Sequence, residues 1–272
     1  MNGHRLRTAP HSILSRMMRQ TAVSRRAWAV GIGLTVVALT ALFSSIAGNQ
    51  ALTDALSGYP EAMQKLFDLS SFTTGPGYLK AEVFSLTGPL LLLIPAVLWG
   101  GGGIGEEESA GTIDLLATAP ISRRRIVLEK WAALTLDVAA LGAVLTLTLV
   151  IGSSAFDLGV AVDHLLAACL ATTLLAEVFG TAALAVAAAT GRTGLGRGLA
   201  AAAALVAYLL SSLSGLVDGL RPFRVLSPWY HALGVDPVAT GFAPAHLALL
   251  IVLVVVLVIV ADVRYRRRDL GT

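Results

Sequence analysis

Two carboxylates stand inside apolar runs, where an acid is costly and therefore informative. Glu177 lies near the middle of a run at about 163–190, and Asp137 about two turns inside another at about 131–152. An ionised acid at the centre of a bilayer costs on the order of 3 kcal/mol on insertion scales. Glu177 therefore has two readings. Either it lines a polar path and meets a cationic substrate, or it is a protonated or hydrogen-bonded carboxyl that holds helices together, with Thr172 and Thr173 as nearby partners. Asp137 joins it as a possible intramembrane polar site, while Glu82 and Asp218 fall near an interface and need no special account. The other reactive residue types form no catalytic set. His4, His11, His164, His231 and His246 never make a His-Glu-x-x-His pair, and no Gly-x-Ser-x-Gly elbow occurs. Gly191-Arg192-Thr193-Gly194-Leu195-Gly196 lacks the Lys-Ser or Lys-Thr of a phosphate-binding loop and reads as a flexible turn. The single cysteine, Cys169, reads as a small buried hydrophobe, with no disulfide framework and no Cys-based metal site. The sequence thus predicts no catalytic residues and no metal site.

The elements that carry these residues are spans. Of 272 residues, 56% are hydrophobic and 14% charged, against about 25% charged in an ordinary soluble domain. Six apolar runs, at about 27–47, 83–105, 131–152, 163–190, 198–219 and 244–263, each approach the roughly 20 residues that a bilayer requires. The first is too long for a signal peptide and has no suitable cleavage site after it, so it reads as a retained span. Ahead of it, residues 11–25 are amphipathic, with Ile13, Leu14, Met17 and Met18 on one arc and Arg16 and Arg19 opposite. That pattern predicts a helix lying in the membrane surface. Basic residues fix the orientation. Sixteen of the 20 fall on one side, in 5–26, 123–130, 192–197 and 264–268, and only Lys65, Lys80, Arg221 and Arg224 on the other. The first side is cytosolic by the positive-inside rule, which places both termini there and requires an even number of spans. On the outer side, 60–67 reads as a short surface helix, and Gly75-Pro76-Gly77 turns the chain inward. The segment Arg221 to Pro244 is broken by prolines; Trp229 and Tyr230 suit the headgroup belt, and the backbone dips inward only where protein or water shields it. Gly100 to Gly103 marks a hinge or a close helix contact, and the alanine-rich fourth and fifth spans allow close approach.

One segment between spans is dense in charge: Glu106 to Lys130, reading EEESAGTIDLLATAPISRRRIVLEK. Ile113 to Thr118 makes a turn and a half of helix, and Pro120 ends it by disfavouring helical geometry at Ala119. A short helix slung between two spans, acidic before and basic after, suits docking against another protein.

Glu106, Glu107, Glu108, Gly111, Thr112, Ile113, Leu115, Leu116, Pro120, Arg123 and Arg124 together resemble the cytosolic motif of the permease subunits of ABC-2 type exporters, the family of bacterial drug-export and NosY-like permeases. Leu226-Ser227-Pro228-Trp229-Tyr230 and Arg267-Arg268-Asp269-Leu270 add weaker likeness. The resemblance implies an all-α membrane protein of the type V exporter kind. It has six transmembrane helices, an N-terminal interfacial helix, and a coupling helix between the second and third spans that inserts into a groove of an ATPase. On this reading residues 1–272 form a single ABC-2 type transmembrane domain: an N-terminal helix in 1–26, the six-span part in 27–263 and a cytosolic tail in 264–272. The implied partners are two copies of an ABC ATPase subunit, a second permease copy or paralogue, and the lipid bilayer, with no nucleic acid. ATP and magnesium belong to the ATPase, and this chain binds no cofactor and is no enzyme itself. The activity implied is export across the plasma membrane. The alternative is a secondary transporter or channel with Glu177 in a proton or ion pathway, which leaves the charged segment without a purpose; an intramembrane enzyme is disfavoured by the missing catalytic sets.

Overall fold

The computed structural model describes residues 13–47, 49, 51, 55, 58, 71–109 and 122–268, the side chains of 13 and 104–109 excepted. Among the described residues the protein is all helical, with nine α-helices and no strand. In chain order these are α1 (Ile13–Gln20), α2 (Ala22–Ile46), α3 (Gly75–Tyr78), α4 (Thr87–Ser109), α5 (Arg123–Ala155), α6 (Val162–Thr190), α7 (Thr193–Leu213), α8 (Pro237–Thr240) and α9 (Pro244–Arg267). A π-helical turn, Leu79–Phe84, leads from α3 towards α4. A 3-10 segment, Asp218–Leu226, and a second π turn, Tyr230–Gly234, lie between α7 and α8. Six stretches are long and apolar enough to cross a membrane: α2, Gly75–Gly103, α5, α6, α7 and α9.

All six expected spans are present, but their ends differ from the hydropathy limits. The second stretch starts at Gly75 rather than near 83, and at the third α5 starts at Arg123 rather than near 131. Ser122 caps it by accepting from the Arg125 N–H at 3.3 Å, so the basic triplet belongs to the helix and not to a linker. The fifth span ends at Leu213, short of 219, and α2, the helix of the first span, already includes Arg25 and Arg26. Helices run past the apolar zone wherever capping and solvated side chains satisfy their ends, so hydropathy alone does not mark their limits.

Helix α6 is the hub. Of its most apolar stretch 72% is buried, against 22% for α2 and α7 and 17% for α9. Its composition explains this, because small residues let neighbouring backbones approach closely. A Cβ on Gly100 of α4 would lie 2.1 Å from the Gly180 carbonyl oxygen of α6. One on Gly196 of α7 would lie 2.7 Å from the Ala183 oxygen, and one on Gly142 of α5 would meet the Thr173 hydroxyl at 2.3 Å. The glycine run in α4 is therefore a packing surface: Gly100 seats α6, and Gly101 seats the stem of Arg197, which would lie 2.6 Å from a Cβ there. The turn expected at 191–196 shrinks to two residues. Gly191 closes α6 with φ +69, and α7 starts at Thr193.

At the end where α3 begins, Gly75 passes so close to the Leu158 carbonyl that no side chain fits. Tyr78 is fully buried, and its hydroxyl donates to the Leu39 oxygen at 2.8 Å. Trp229, expected among lipid headgroups, instead turns inward. It is 5% exposed and packs edge-on against Tyr208 with ring centroids 5.0 Å apart. The expected surface helix at 60–67 lies outside the described residues.

Candidate functional site

The two intramembrane carboxylates do not meet. Thr135 and Asp137 are two residues apart on α5, so they project about 200° apart around the helix. Thr135 faces Glu177, and its hydroxyl donates to Glu177 Oε1 at 2.6 Å; Thr181, one turn along α6, donates to the same oxygen at 3.4 Å. Glu177 is 5% exposed. Its Oε2 has no hydrogen bond among the described residues, and neither has the buried Trp131 indole N–H. Two hydroxyls thus converge on one carboxylate oxygen, and the Thr135 bond ties α5 to α6. Thr172 and Thr173, the partners expected from sequence, turn back onto their own helix. They donate to the Ala168 and Cys169 carbonyls, both at 2.7 Å.

Asp137 faces the opposite way, towards the N-terminal helices. It forms an ion pair with Arg25 of α2 and accepts from the Thr21 hydroxyl at 2.7 Å, where the chain bends between α1 and α2. The Asp137 side chain is 2% exposed and that of Arg25 is 23% exposed. A buried carboxylate with a guanidinium and a hydroxyl against it is satisfied as a structural joint.

Most of the described basic residues gather at one end, Lys80, Arg221 and Arg224 excepted, and several of them bind other elements there. The Leu14 N–H of α1 donates to Glu129 Oε2 at 3.1 Å, and Arg125 Nε donates to Glu129 Oε1 at 2.6 Å. Lys130, 1% exposed, reaches the Gly103 carbonyl near the end of α4. Arg123 Nη1 donates to the Arg268 oxygen at 2.6 Å and the Arg266 oxygen at 3.3 Å, satisfying carbonyls that the end of α9 leaves open. Arg197 of α7 forks onto the Leu98 carbonyl at 3.0 and 2.9 Å. Below these contacts Ile126, Val127, Leu184, Ala188, Ala261 and Tyr265 form an apolar cluster, with Met17 of α1 against it. Arg16 and Arg19 are exposed on the other side of α1. The amphipathic arc read from sequence thus seats α1 at least partly on protein.

The residues expected to dock an ATPase divide in three. Glu106, Glu107 and Glu108 fall on the last turns of α4 by backbone. Gly111, Thr112, Ile113, Leu115, Leu116 and Pro120 lie outside the described residues. Arg123 and Arg124 open α5; Arg123 is engaged with α9, and Arg124 is exposed. Sequence reasoning missed Thr135, Thr181, Trp131, Arg25 and the burial of Lys130. Only Thr181 had a local signal, its four-residue spacing from Glu177 on one helix.

The profile of the ABC-2 family transporter proteins matches residues 12–270. No curated protein matches the chain.

Proposed function

The chain belongs to the ABC-2 family of transporter proteins, and from that premise we propose that it couples ATP hydrolysis on separate ATPase subunits to export of a substrate across the plasma membrane. At family level it is the multi-pass permease component of an ABC transporter and works with an ABC ATPase. The finer reading assigns the Glu106 to Pro120 segment to the ATPase groove, with Ile113, Leu115 and Leu116 as the contact residues. Two copies of the ATPase serve two permease halves, this chain and a second copy or paralogue. Residues 1–272 act as one transmembrane domain that binds no cofactor, with ATP and magnesium held by the partner.

One observation carries this reading. In the chain the segment joins α4 to α5, and described residues on either side of it are held: the Gly103 carbonyl of α4 accepts from Lys130, and Arg123 donates to the end of α9. A helix suspended from so stiff a frame transmits a push as a lever, because packed elements shift as bodies rather than deform. Gathering the basic residues at this same end supports a cytosolic location for it and for both termini. The Glu177 carboxyl, tied between α5 and α6, supports a joint in the bundle rather than an ion path.

The test is topology together with partnership. Reporter fusions at Thr272 and ahead of Arg16 report the cytosol, Lys65 is labelled from outside, and an ATPase copurifies with the tagged chain. An externally reactive C-terminus, or purification of the intact chain with no ATPase, overturns the proposal.

A further inference from the structure

The last turns of α9 and the end of α6 border a cavity of about 430 Å³, at the end of the bundle where most basic residues gather. Ala189 of α6 and Val263 of α9 line it with apolar surface, and Arg264, Arg267 and Arg268 supply its charge. Helical spacing groups them: positions 263, 264, 267 and 268 fall on one side of a helix. Three guanidinium groups around one space repel each other unless an anion joins them, and the nearby acids are engaged elsewhere. Glu129 is paired with Arg125, Asp137 with Arg25 and Asp262 with Arg266. Among the described residues, neither Arg264 nor Arg267 forms an ion pair.

Arg268 is fixed in place as a wall of this cavity. Its carbonyl accepts from Arg123 at 2.6 Å, and its guanidinium lies so close to Gly191 that a Cβ there would collide with it. Gly191 is the left-handed residue that closes α6, so this cation stands where the helix leaves carbonyls open. Arg264 and Arg267 are exposed and able to turn towards a ligand.

We propose that the cavity holds the phosphate of an anionic phospholipid, which staples α9 to α6 in the leaflet at the basic end. Guanidinium forks match phosphate oxygens with paired, charge-assisted hydrogen bonds. A soluble anion needs only those forks; the apolar surface that leads away from them selects a lipid. Val252, Val256, Ile259 and Val260 are exposed on α9 and run with helical spacing to Val263 and Arg267. An acyl chain lying along that stripe brings its headgroup to the arginines, at the level where a span leaves the hydrocarbon.

The test is binding of dioctanoyl phosphatidylglycerol to the purified full chain in neutral detergent, read as the first lipid adduct by native mass spectrometry. Dioctanoyl phosphatidylcholine, whose own cation competes with the arginines, binds more weakly. Glycerophosphoglycerol, the same headgroup without acyl chains, also binds more weakly. Arg264→Gln and Arg267→Gln each weaken phosphatidylglycerol binding about fivefold, the effect of one basic side chain at a membrane surface. Arg26→Gln, which removes an exposed cation from α2 at the same end, leaves it unchanged. Equal affinity for the two lipids overturns the proposal, and so does a loss with Arg26→Gln as large as with Arg267→Gln, which marks diffuse attraction rather than a site. Glycerophosphoglycerol binding as tightly as the lipid overturns it too, because the cavity then takes a soluble phosphate.

Discussion

Removing Arg25 is the sharpest probe of how the N-terminal helices are held. Its guanidinium neutralises Asp137, whose side chain is 2% exposed and whose other partner is the Thr21 hydroxyl. Arg25→Gln leaves that carboxylate buried with hydroxyl help only, and breaking a buried pair from one side costs about 3–5 kcal/mol. Asp137→Asn costs less, about 1–2 kcal/mol, because the Arg25 side chain, 23% exposed, still reaches solvent. The double variant Arg25→Gln with Asp137→Asn faces two amides that bond each other, so its cost falls well below the sum of the singles. Thermal unfolding in detergent reads this. At roughly 2–4 °C per kcal/mol for a chain of this size, Arg25→Gln lowers Tm by about 6–20 °C. The double variant recovers much of that loss. Strictly additive losses, or an Arg25→Gln variant as stable as the unaltered chain, refute the joint.

The remaining predictions concern the hub and its carboxyl. Gly100→Ala forces a methyl to within 2.1 Å of the Gly180 carbonyl oxygen and costs about 1–3 kcal/mol by overpacking, read as a lower Tm. Gly198→Ala, with nothing within 4 Å of its Cβ position, is neutral or stabilises by up to about 1 kcal/mol through helix propensity. Glu177→Gln keeps an acceptor for Thr135 and Thr181 and leaves assembly and export nearly intact, whereas Glu177→Leu strands buried donors and lowers Tm, with a cost of about 1–3 kcal/mol. Loss of export in Glu177→Gln with full retention of folded protein sinks the structural reading of this carboxyl.

Much of the architecture was legible because bilayer spans require long apolar runs, and all six runs became helices. Their ends were not legible from hydropathy. Ser122 carried a capping signal ahead of α5, but the basic triplet that follows it reads equally as a linker. The glycine run at 100–103 was legible as special and ambiguous in use, since a hinge and a close crossing need the same residue; only the position of Gly180 on α6 decides. Partners across helices left no trace in the linear chain. Glu177 found Thr135, 42 residues away, and Asp137 found Arg25, 112 residues away, because the choice depends on how each helix is rotated about its axis. Trp229 was misplaced for a related reason. An aromatic in a proline-broken segment suits a headgroup belt, until an edge-on neighbour such as Tyr208 gives it a protein surface instead.

The central claim is that the segment between α4 and α5 is the lever on which the ATPase acts. Leu115→Asp with Leu116→Asp tests it directly, measured as ATPase copurification and transport-stimulated ATP hydrolysis in reconstituted vesicles, with membrane insertion and Tm of the variant as the control. The account predicts a normally inserted permease that no longer retains or stimulates its ATPase. Undiminished binding and stimulation by that variant contradict it.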